Sequence, residues 1–115
     1  MQYLLLIYDD EAARWALPAE ESARLRADYV KVVTELVAEG KYKGGNPLYQ
    51  TKDGSSVRIR DGKTTVTDGP FAETREQLGG YFLIEAADMT EARAIAARLP
   101  GAQFGTIEVR PVVPM

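Results

Sequence analysis

Apolar positions fall along this chain in two rhythms. Tyr3 to Tyr8 is an unbroken aromatic and aliphatic run stopped by Asp9 and Asp10, which predicts a central strand covered on both faces. Glu11 to Leu17 reads as a connection carrying the only tryptophan, Trp15. The rhythm then changes: Leu25, Tyr29, Val32, Val33, Leu36 and Val37 recur at helical steps, making a single apolar stripe. Pro18 suits the first turn of that helix, and Glu20 and Glu21 suit its electropositive end. Gly40 closes it with a left-handed residue.

The second half repeats the alternation. Lys41 to Tyr49 predicts a weak strand interrupted by Gly44, Gly45 and Pro47, and Gln50 to Ser55 a loop. Ser56–Arg60 and Lys63–Thr67 flank Asp61-Gly62, a strong hairpin signal. In that hairpin Val57 faces Val66, and Arg58, Arg60 and Lys63 share the other side. Ala72 to Leu78 suggests one or two helical turns, broken by Gly79-Gly80, before a strand from Tyr81 to Ala86. Asp88 and Glu91 have capping-box spacing for a helix that Pro100-Gly101 ends, and Thr106 to Val113 holds a last strand. Without the hairpin the order is βαββαβ, which predicts a single ferredoxin-like α+β domain over residues 1–115 with an inserted β-hairpin. An apolar sheet face left uncovered by the helices would call for a second copy, so a homodimer is expected.

Composition narrows the chemistry more than the fold. The chain has neither histidine nor cysteine, which excludes disulfides, thiolate nucleophiles, imidazole acid/base work and His- or Cys-ligated zinc. Carboxylates, Tyr, Lys, Arg and backbone remain, and no bound cofactor or metal is expected. A net charge of −3 supplies no general field for nucleic acid or anionic membrane. The first apolar run lacks a basic flank and is too short for a signal peptide or membrane span, so a cytoplasmic location is expected.

The run Asp68-Gly69-Pro70-Phe71-Ala72-Glu73-Thr74-Arg75-Glu76-Gln77-Leu78-Gly79-Gly80-Tyr81-Phe82-Leu83-Ile84 resembles the signature of DGPF-domain proteins within the YCII-related family. The opening strand and the closing Ile107 to Val112 are similar to that family as well. The resemblance implies a dimeric α+β barrel of unknown function. It also implies a functional link to an extracytoplasmic-function sigma factor. Shorter members carry a His and Asp pair proposed to be catalytic. This chain has no histidine, and Leu99-Pro100 stands where their Asp-Pro falls, so that mechanism does not transfer.

Asp68 and Glu76 are the best carboxylate pair for acid/base work, flanking Phe71 in the signature. As a plain turn, Asp68 would cap it, Gly69 would take positive φ and Phe71 would pack. Tyr8, Phe71, Arg75 and Tyr81 are candidate ligand-binding residues, set against ordinary packing for the aromatics and a solvated turn for Arg75. The acidic run Asp9 to Glu11 reads as a solvated loop, and Trp15 as a packing lid. The preferred function is a small-molecule-binding or regulatory domain with its pocket near a dimer interface. The alternative is a cofactor-independent small-molecule enzyme using Asp68 and Glu76.

Overall fold

In the computed structural model, which describes residues 1–115, strand β1 (Gln2–Asp9) is alternating rather than covered on both faces. Tyr3, Leu5, Ile7 and Asp9 are buried, whereas Leu4, Leu6 and Tyr8 are half-buried. A five-residue helix, α1 (Glu11–Trp15), stands where a connection was expected. Asp10 starts it by accepting the Ala13 N–H at 3.3 Å, which satisfies one of the unpaired N–H groups of the first turn. Helix α2 (Ala19–Ala38) follows the predicted stripe and buries Val32 and Leu36. Its end is a left-handed closure: Gly40 has φ +72°, and the Lys41 N–H reaches back to the Leu36 carbonyl at 2.9 Å.

Strand β2 (Tyr42–Pro47) is followed by a short 3₁₀ turn (Thr51–Asp53) and then by strands β3 (Ser55–Arg60) and β4 (Lys63–Asp68). Asp61 and Gly62 both have positive φ, which matches the right-handed twist of a two-residue hairpin. Val57 pairs with Val66 and Arg60 with Lys63, as the spacing predicts. No helix forms over Ala72 to Leu78. Strand β5 (Gln77–Glu85) starts there and runs through Gly79 and Gly80, so the glycine pair lies inside a strand instead of breaking one. Helix α3 (Met89–Ala96) is capped by Asp88, which accepts the Glu91 N–H at 2.9 Å. A second 3₁₀ turn (Pro100–Gln103) leads to β6 (Thr106–Pro111).

The strands make two open sheets. One is four-stranded and antiparallel in the order β2-β5-β1-β6; the other is the β3–β4 hairpin alone. Tyr3, Leu5, Phe82 and Ile84 share one face of the larger sheet and form a single core with Val32 and Leu36 of α2 and Ala92, Ile95 and Ala96 of α3. The expected ferredoxin-like domain closed into a dimeric α+β barrel is therefore corrected to a mixed α/β fold with two open sheets. β2 and β6 are free edges, and the hairpin joins neither of them. The homodimer expected from an uncovered apolar sheet face is likewise not supported by these two open sheets. Leu4 and Leu6 lie opposite Leu83 and Tyr81 across the ladder, and all four are half-buried within one chain. Cross-strand packing of Leu4 against Leu83 and Leu6 against Tyr81 accounts for part of the burial along the apolar run.

Candidate functional site

A cavity of about 690 Å³ opens between α2 and the β2–β5 side of the sheet. Because α2 presents one face every third or fourth residue, Ser22, Leu25, Arg26, Tyr29, Val30 and Val33 all line it. Ile7, Tyr42 and Phe82 form the sheet wall, and Trp15, Leu48 and Tyr49 the mouth. Phe82 organises the apolar end, meeting the Tyr42 ring edge-on at 5.5 Å and the Tyr29 ring at 6.2 Å. The Tyr29 hydroxyl accepts the Gly101 N–H at 3.1 Å, and burial pushes its pKa up more than that hydrogen bond pulls it down. At the mouth, the Trp15 and Tyr49 rings lie 6.3 Å apart and nearly parallel. Glu11 fastens this side by accepting the N–H and hydroxyl of Thr51.

The polar end is an ion pair. Asp9 is 3% exposed, and its Oδ2 accepts from Arg14 Nε at 2.6 Å. Asp9 Oδ1 and Arg14 Nη2 are buried without hydrogen-bond partners. Burial raises the Asp9 pKa above the usual carboxylate value, and the neighbouring guanidinium offsets this only in part. Gly79 makes room for the pair. The β1–β5 ladder slips between Ile7 and Tyr8, which leaves Gly79 as the extra residue of a bulge. A Cβ there would fall 2.8 Å from Arg14 Nη2 and 3.3 Å from Asp9 Oδ1. Gly80 follows on the cavity floor.

The residues singled out from the sequence lie elsewhere, and they do not form one cluster. Asp68 is exposed at the end of β4, paired with Ser55 across the hairpin. Gly69 beyond it has φ +85°. Glu76 is half-buried before β5, and its Oε1 accepts the Thr106 hydroxyl at 2.8 Å. No hydrogen bond or ion pair joins Glu76 to Asp68. Phe71 is 73% exposed with the Arg58 guanidinium 5.8 Å over its ring, and Arg75 is exposed. Tyr81 accepts the Asn46 side-chain N–H at 3.1 Å, and Tyr8 is half-buried on the open sheet face. No group of three or more Asp and Glu side chains converges as a metal-holding set, and no helix is long and apolar enough to cross a membrane.

The YCII-related domain model matches residues 1–115. The chain is also 40% identical over 114 residues to an uncharacterised protein of Rhizobium meliloti (strain 1021), covering 97% of this chain and 92% of that one. The chain belongs to the YCII-related family. In this YCII-related domain the buried pair has a signal in the sequence that the solvated-loop expectation for Asp9 to Glu11 passes over. Tyr3, Leu5, Ile7 and Asp9 share the alternation of β1, so Asp9 points to the core side along with them. Arg14 has no comparable signal, because its position depends on a helix only five residues long.

Proposed function

We propose that this chain is a small-molecule-binding domain of the DGPF type, whose ligand occupies the cavity between α2 and the β2–β5 side of the sheet. The observation that carries this reading is the cavity's construction. It is about 690 Å³, within the range of drug-sized ligand sites, with aromatic and aliphatic walls and a buried carboxylate–guanidinium pair at one end. The DGPF signature supports the same reading, because its Gly79, Gly80 and Phe82 all line that cavity. The site uses no imidazole or thiol, in keeping with a chain that has neither.

The test uses N-phenyl-1-naphthylamine, a neutral fluorophore that brightens in apolar surroundings. It should saturate one site per chain. Val33→Trp fills the cavity and should weaken binding by at least about tenfold, whereas Val37→Trp, on the exposed side of α2, should leave it unchanged. Thermal melts establish that both variants are folded. Equal affinity in all three proteins, or no saturable binding in any, would sink the proposal.

A further inference from the structure

The charges around the cavity point to the class of molecule it takes. Of its twenty lining residues, Asp9, Arg14 and Arg26 are the only charged ones. Asp9 and Arg14 neutralise each other at 2.6 Å. Arg26 takes part in none of the chain's ion pairs, the other basic partners being the N-terminus, Lys41, Arg98 and Arg110. The cavity therefore carries one uncompensated positive charge in a protein whose net charge is −3.

That charge is placed at one end. On α2, Ser22 and Arg26 lie about one to three turns before Val30 and Val33. The end of α2 leads through Lys41, whose carbonyl accepts the Glu85 N–H, into Tyr42 opposite Ile84, so Asp9 and Gly79, at the other end of the ladder, lie toward the start of α2. The result is a graded site, cationic with hydroxyl and guanidinium donors at one end and apolar at the other. A cationic ligand could reach only the unpartnered Asp9 Oδ1, on a carboxylate whose charge Arg14 already neutralises, and would face the uncompensated Arg26. A purely apolar ligand would leave Arg26 unused.

Resting on the pocket assignment above, we propose that the natural ligand is a small monoanion, an aromatic or branched aliphatic carboxylate. Its carboxylate faces Arg26 and Ser22, and its apolar body lies against Tyr29, Val33 and Phe82. Arg26 is a specificity-determining residue for the anion, and the Asp9–Arg14 pair closes the polar end without contributing net charge.

Displacement of bound N-phenyl-1-naphthylamine by three molecules of one shape tests this: 1-naphthaleneacetate, its neutral amide, and 2-(1-naphthyl)ethylammonium. The acetate should displace the fluorophore at roughly one-tenth the concentration the amide needs, as a charge-assisted hydrogen bond provides. The ammonium should be weakest. Arg26→Gln should bring the acetate to the level of the amide, while Arg24→Gln, outside this cavity, should keep the preference. Added salt should narrow the gap, because Arg26 is exposed. Equal displacement by all three, tighter ammonium binding, or an unchanged preference in Arg26→Gln would overturn the carboxylate assignment and leave the pocket standing. Failure of the fluorophore to bind at all would remove both.

Discussion

At the scale of single residues, Asp9 is the position that departs from the apolar alternation of its own strand. An apolar side chain there would continue the alternation of Tyr3, Leu5 and Ile7, yet a carboxylate is buried and needs Arg14 to hold it. Because burial raises the Asp9 pKa, the folded chain binds that proton more tightly than the unfolded chain. The residue's contribution to stability therefore falls as pH rises from its unfolded value near 3.8 through its higher folded value, and is flat above. Asp9→Asn cannot titrate. The stability of the wild type relative to this variant should shrink as pH rises across the acid range, measured by urea melts. A difference that widens with pH would mean that Arg14, not burial, governs the carboxyl. Gly79→Ala acts on the same pair from the other side: its Cβ would push Arg14 Nη2 away from Asp9 and cost about 1–3 kcal/mol, as overpacking does.

At the scale of elements, α2 serves two purposes with one stripe. Val32 and Leu36 bury into the core, while Tyr29 and Val33 stay half-buried beside the cavity. The division follows from the helical repeat, which spreads the stripe over a broad arc whose flank lines the cavity. Leu36 is fully buried, and Leu36→Ala should cost about 2–5 kcal/mol in denaturant melts. A loss no greater than that of an exposed position such as Val37 would misplace the core face. The hairpin is the opposite case. Val57, Ile59 and Val66 are each more than 60% exposed, so β3 and β4 are held by their turn and ladder and little else. A two-stranded hairpin without a covering layer is marginal in water.

At the scale of the molecule, the two sheets should then differ in stability. Amide protons of β3 and β4 should exchange by local opening, well before those of β1 and β5, whose ladder sits over the common core. Native-state hydrogen exchange reads this directly. Equal protection in both sheets would show that the hairpin gains a covering layer in solution. The molecule's flat form, 47 × 42 × 19 Å, is consistent with a hairpin standing off the main layer.

Local interactions make much of this fold legible in the sequence alone. The α2 stripe and its Gly40 stop, the Asp61-Gly62 hairpin with its register, and the Asp88 cap of α3 all depend on residues within a few positions of one another. The absence of His and Cys likewise excludes whole classes of chemistry by composition. What the tertiary structure decided was every feature that depends on distant parts meeting. The unbroken apolar run of β1 reads as a strand covered on both faces, and only the fold shows that Leu4 and Leu6 stay half-buried beside Leu83 and Tyr81. Gly79-Gly80 reads as a break in the sequence, because only the approach of Arg14 and Asp9 shows why a strand there needs a bare backbone. The signature's carboxylates point to Asp68 and Glu76, which are close in sequence. Asp9 and Arg14 instead meet in the fold beside residues more than sixty positions away, where burial gives a charge pair its chemical character.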